Sequence, residues 1–231
     1  SAASDVYKRQ GFDGVVLACI DFGDPEVIEL VQSSIPVVTI DYLFNNRIAI
    51  MSDNVAGMKE LLEYIYSRGH RKIAYIHGAM SAVTSGRLSS FYRTAERLGL
   101  DIPDEYIREA AYRDTTTTYR VTNELLDLPN PPTCIIYPDD FASFGGINAI
   151  RQRGLQIPED ISVAGYDGIQ AARQLEPRLT TVQQDTEQIG CLAARELISL
   201  IERPKTTIIE QVIVPGKVAE GKSVARIPTD N

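Results

Sequence analysis

The chain has 231 residues, 44% of them hydrophobic and 23% charged, the balance of a soluble globular protein long enough to bury a sizeable core. Its 23 basic and 31 acidic side chains leave a net charge of -8, and such a surface repels phosphate backbones, which argues against nucleic-acid binding by this stretch alone. No apolar run approaches the roughly 18 residues of a membrane span, and no basic segment leads into an apolar one as in a secretion signal.

In chain order, residues 1–10 carry neither helical nor strand periodicity and read as a disordered or extraneous leader. GVVLAC is a continuous apolar strand, followed by a short helix with Pro25 in its first turn and by the strands PVVTID and IAIMSD. A helix is expected from about Asn54 to Arg68, with Val55, Met58, Leu61, Leu62 and Ile65 on one face and Gly69 at its end. KIAYIHG is the next strand, then come a helix over 85–98, a strand near YIREAAY and a helix over 119–126. TCIIYPDD, a helix over 141–153, ISVAGYD, TTVQQD, a helix over 186–202 and the strand IIEQVIV complete the pattern. Apolar strands alternating with helices predict a doubly wound α/β fold with parallel sheets.

Three strands end on carboxylates: Asp41, the pair Asp139 and Asp140, and Asp167. In open parallel sheets ligands bind beyond the carboxyl ends of the strands, so these side chains, with Arg87 in the helix after Gly78, converge on one rim. Carboxylates accept from hydroxyls and Arg donates in a planar fork, while Tyr42, Phe44, Tyr137 and Tyr166 could pack an apolar ring face. The set suits a small polyhydroxylated ligand. Bland roles compete: Asp53 and Asp185 read as N-caps, Asp140 as a cap rather than a contact, and Asp41 or Arg87 as either contact or plain surface. His70 reads as a structural hydrogen-bonding residue and His77 as core. Cys19, Cys134 and Cys191 read as buried free thiols, and the Cys and His are too few and too scattered for a metal site. No Gly-x-Ser-x-Gly elbow, phosphate-binding loop or Cys–His pair is present, so no catalytic residue, metal or cofactor is expected and the chain is not read as an enzyme.

The string DNVAGMKELLEYIYSRGHRKIAYIHG, the segment SAVTSGRLSSFYRTAERLGL, the run PPTCIIYPDDFASFGGINAIRQRGLQIPEDISVAGYDG and PRLTTVQQDTEQIGCLAARELISLI together resemble the LacI/GalR transcription regulators, from about Phe12 to about Ser223. The resemblance implies a periplasmic-binding-protein-like type I fold of two doubly wound parallel-sheet lobes, with the first lobe truncated. It places residues 11–52 plus 184–206 in the first lobe, 53–183 plus 207–224 in the second, and 225–231 in a tail. It implies a small-molecule effector such as a sugar, a homodimer, a cytoplasmic location with no membrane partner, and operator DNA contacted only through an N-terminal helix-turn-helix that this stretch lacks. Family effector contacts carry over to Asp41, Thr84, Arg87, Asp139 and Asp167, with Gln184 at a crossover. The sequence departs from the pattern at Asp139, where Asn is usual; a carboxylate cannot donate, so the ligand is expected to supply the donor there. Gly168 also replaces a frequent second Asp, and Ser90 the Gly before Phe91. The alternative is a sugar solute-binding protein of an ABC transporter, which shares the fold.

Overall fold

The computed structural model describes residues 11–228. In chain order the elements are β1 (Val15–Leu17), α1 (Pro25–Gln32), β2 (Val37–Ile40), β3 (Ile48–Ser52), α2 (Asn54–Ser67), β4 (Ile73–His77), α3 (Ala82–Arg97), a 3-10 turn (Asp104–Tyr106) and β5 (Ile107–Glu109). They continue with α4 (Thr115–Leu126), β6 (Cys134–Ile136), α5 (Asp140–Gln152), β7 (Ser162–Asp167), α6 (Gln170–Arg173), β8 (Thr180–Gln183), α7 (Thr186–Glu202), β9 (Gln211–Val214) and β10 (Lys217–Ala219). The chain divides into a smaller unit, Ser1–Asp53 with Asp185–Pro215, and a larger one, Asn54–Gln184 with Gly216–Asn231.

The smaller unit is built on a parallel sheet in the order β1-β2-β3-β9. Helix α1 starts where it does because Asp24 accepts from the Glu26 amide at 2.8 Å and Pro25 fills the first turn. It covers Leu17, Ile35 and Val37 with Leu30 and Val31. On the other side α7, capped by Asp185 through the Gln188 amide, sets Ile189 and Ala193 against Val38, Ile48, Ile50 and Val214. Phe22, Tyr42 and Phe44 form an aromatic cluster of their own, Phe22 and Tyr42 stacked at 4.4 Å.

The larger unit has six strands in the order β10-β8-β7-β6-β4-β5, parallel except for the antiparallel pair β10–β8. Its strands are apolar on both faces because helices cover both. Met58, Leu61, Leu62, Ile65 and Phe91 of α2 and α3 meet Ile73, Tyr75 and Ile136 on one side. Val121, Leu125, Ile147 and Ile150 of α4 and α5 meet Ala74, Ile76, Ile135 and Val163 on the other.

The strand in IIEQVIV, expected with 207–224 in the second lobe, belongs instead to the smaller unit: β9 lies parallel to β3 in register Ala49 to Gln211, and the crossing falls between Pro215 and Gly216. The open edge of β3 offers a ladder that the apolar run completes. Residues of the expected tail are tied down: the Ala225 carbonyl accepts from His70 Nε2 at 3.2 Å, and the Ile227 amide donates to Arg68. The leader, 1–10, lies outside the described residues. Only Cys134 is a buried thiol; Cys19 and Cys191 are exposed, Cys19 because its segment leaves the sheet after Leu17. His77 is half-buried at the strand end rather than core, its Nδ1 2.8 Å from the Gly78 carbonyl.

Candidate functional site

The larger unit assembles a polar cluster at the carboxyl ends of β4, β6 and β7 and the N-termini of the helices after them. Arg87 lies in the second turn of α3, a helix capped by Ser81. Its guanidinium is 3% exposed and held on every side. Nε donates to Asn54 Oδ1 at 2.8 Å and Nη1 to the Pro138 carbonyl at 2.9 Å. The guanidinium carbon stands 3.5 Å from the centroid of the Tyr166 ring, a cation–π stack. Gly57 makes room for that tyrosine, since a Cβ there would come 2.3 Å from the Tyr166 hydroxyl. The remaining edge, Nη2, faces Asp167 Oδ1 at 3.7 Å.

Asp167 ends β7 with φ of +105°, a conformation costly for any residue with a side chain. Two bonds from Gln184 support it: the Gln184 amide donates to the Asp167 carbonyl at 3.1 Å, and Nε2 donates to Oδ1 at 2.8 Å. The Asp167 side chain is 37% exposed, the more accessible member of the pair. Desolvation raises its pKa to about 7, with the Arg87 charge beside it acting in the opposite direction.

The cap expected of Asp140 falls to its neighbour. Asp139, not Asp140, is the N-cap of α5: Oδ1 accepts from the Ala142 amide at 2.7 Å. Its Oδ2 accepts from the Arg113 amide at 2.8 Å. The donor that a carboxylate needs at this position is therefore supplied by the chain itself, with Arg113 held at φ of +62°. Asp140, the first residue of α5, turns inward and is fully buried. It accepts from Thr181 Oγ1 at 2.6 Å and from the Ile169 amide at 2.8 Å, and burial raises its pKa to about 6 against those bonds.

Of the other expected residues, Thr84 is fully buried, its hydroxyl donating to the Ala79 carbonyl at 2.7 Å and lying 2.8 Å from the Tyr112 hydroxyl. Asp41 belongs to the smaller unit, where its two oxygens accept from the Ser52 amide at 2.7 Å and the Ser52 hydroxyl at 3.2 Å. Tyr137 is no ring platform. It is buried on the α4–α5 side, its hydroxyl 2.8 Å from Thr122 Oγ1. Tyr166 is likewise buried, beneath Arg87. The structure thus brings Thr84, Arg87, Asp139, Asp167 and Gln184 into one unit. Residues missed from the sequence are Asn54, which orients Arg87, and Tyr112 with Arg113, which follow β5. Tyr112 is half-exposed and fills the space beside Gly78, where a Cβ would meet its ring at 2.3 Å. A polar YRD triplet after a predicted strand was the available signal.

Chemically the cluster offers a fixed donor fork and a part-exposed acceptor side by side. A hydroxyl can satisfy both at once, accepting from Nη2 and donating to the carboxylate. Among the described residues no group of three or more His, Cys, Asp or Glu side chains could hold a metal ion, and no helix is long and apolar enough to cross a membrane.

A family profile described as the periplasmic binding protein-like domain matches residues 62–224. The probable HTH-type transcriptional repressor ExuR of Bacillus subtilis (strain 168) is 32% identical over 222 residues, which cover 94% of this chain and 66% of that protein. The HTH-type transcriptional repressor PurR of Serratia proteamaculans (strain 568) is 30% identical over 224 residues, covering 94% and 64%. The chain thus spans just under two thirds of the length of these curated relatives. Among solved structures, a regulatory protein of the LacI family from Chloroflexus aggregans superimposes with a TM-score of 0.83 at 26% identity, covering 98% of this chain and 82% of that one. A LacI family regulator from Enterococcus faecium with bound ribose gives a TM-score of 0.86 at 24% identity, covering 98% and 84%, a likeness of fold alone.

Proposed function

Because the chain belongs to the periplasmic binding protein-like family, we propose that it is the effector-binding part of a LacI/GalR-type transcriptional repressor and that its effector is a sugar or a similar polyol. The observation that carries the reading is the Arg87–Asp167 pair, a stacked and buried guanidinium beside a part-exposed carboxylate at the strand ends. The relatives named as repressors support a regulator over a transporter's solute-binding protein. Operator DNA is proposed as a partner of the whole protein through a further domain, with action as a homodimer in the cytoplasm.

The proposed mechanism is linkage. A sugar shifts the equilibrium between two states only by its difference in affinity for them, and DNA affinity follows that shift. Asp167 accepts from sugar hydroxyls, Arg87 donates, and Asp139 with Thr84 holds the loop carrying Tyr112 and Arg113 against the cluster. Titration calorimetry with D-ribose, D-glucose, D-galactose and cellobiose tests this. At least one should bind saturably, and Arg87→Ala and Asp167→Asn should each weaken it about ten- to a hundred-fold, the effect of removing a charged hydrogen-bond partner from a desolvated site. Binding by both variants equal to that of the surface control Lys59→Ala would refute the assignment.

A further inference from the structure

The larger unit begins at Asn54 and its first segment ends at Gln184. These are the two residues that grip the effector pair: Asn54 Oδ1 holds Arg87 Nε, and Gln184 holds both the backbone and the carboxylate of Asp167. We infer that Asn54 and Gln184 are positioning residues for the pair, and that through them occupancy of the pair is felt at two of the three points where the chain enters or leaves the larger unit. The inference rests on the proposed function for the identity of the ligand, not for the geometry.

The geometry is directional. A guanidinium is planar, so fixing Nε on Asn54, Nη1 on Pro138 and one face on Tyr166 leaves a single edge, Nη2, turned toward Asp167. That last link, at 3.7 Å, is too long for a direct hydrogen bond and is the loosest in the relay. On the other side Asp167 keeps a costly φ of +105° with two bonds from one residue. A hydroxyl bridging Nη2 and the carboxylate draws on both, and any movement of Asp167 acts on the Gln184 amide that its carbonyl holds. The third crossing runs alongside, since Lys217 pairs with Gln183.

Amide hydrogen exchange on the full chain, without sugar, reads the relay directly. Asn54→Ala removes the acceptor for Arg87, while Asn54→Asp retains one. The Gln184 amide should exchange about ten times faster in Asn54→Ala and at the wild-type rate in Asn54→Asp, with the Ile73–Ile76 amides unchanged in both. An unaffected Gln184 amide, or one that accelerates in step with Ile73–Ile76, overturns the inference, because loss of a merely structural bond loosens the whole unit. In the second arm, whichever of D-ribose, D-glucose, D-galactose or cellobiose binds the wild type should bind about tenfold less tightly to Gln184→Glu, which keeps the shape and loses the donor. Undiminished binding overturns it as well. Should none of the four bind, the sugar reading fails and the exchange arm still decides the relay.

Discussion

Asp139 shows why a carboxylate rather than an amide is needed at a position that both would cap equally well. Asn would satisfy the Ala142 amide, but its nitrogen would then confront the Arg113 amide, donor against donor. Asp139→Asn should therefore cost about 1–2 kcal/mol of stability, and Asp139→Ala, which loses the cap too, about 2–3 kcal/mol, both measured by urea unfolding. Asp140 makes a prediction of opposite sign. Its folded pKa, about 6, lies above that of a free aspartate, so the folded state holds its proton longer than the unfolded chain does. Stability from this residue is therefore present at acid pH and lost as pH rises from the unfolded value toward 6. His70 works the other way: burial lowers it to about 4, so stability is gained between pH 4 and 6.5. The two trends overlap, and the difference between wild type and Asp140→Asn cancels the histidine. The amide can accept from Ile169 and donate to Thr181, so the variant should match wild type near pH 4 and exceed it by about 2 kcal/mol at pH 8.

Helices α4 and α5 pack against each other, and Gly145 sets their distance. A Cβ there would lie 1.9 Å from the Thr115 carbonyl, a backbone atom that cannot step aside alone. Gly145→Ala should separate the helices and lower stability by about 3 kcal/mol, seen as a fall in the urea midpoint with an unchanged slope. The same pair shows what could be read from the residues and what could not. The sequence predicts this helix from about 119. In the structure Thr115–Thr118 are its first turn, since Asp114 accepts from the Thr117 amide at 2.9 Å and Thr118 Oγ1 reaches the Ala142 carbonyl at 2.6 Å. The long amphipathic helices and the strands apolar on both faces were legible, because burial imposes a period on them. Helix α6 and strand β10, four and three residues long, were not, because neither QAAR nor KVA carries an apolar run. Strand ends and the family pattern single out Asp167 and Arg87, which the structure sets side by side. Asn54 and Tyr112 were not legible, because their roles exist only once α2 and the β5 loop lie beside α3.

At the scale of the molecule, the two units are unequally furnished. The larger has two clusters of 14 buried residues each, and the smaller, among the described residues, has clusters of six and five. Exposed Val16, Ile198, Ile201, Ile208, Ile209 and Ile213 all belong to the smaller unit. Amides of β2 and β3 should therefore exchange faster than those of β4 and β6, and equal protection would refute this ordering of stability. The interleaved path of the chain also bears on how the protein is made. Val224 sits in the core with Met58, Ile73 and Phe91, and the Ser223 hydroxyl joins the Thr180 amide to the Val163 carbonyl. A ribosome adding about 5–20 residues per second reaches Ser223 several seconds after β8, having threaded all of α7 and β9 in between. Until then two inner strands of the larger unit lack the residue that closes their edge. Neither unit can finish as a nascent domain before the other has begun, and Ser223 and Val224 act as the latch for strands synthesised well before them.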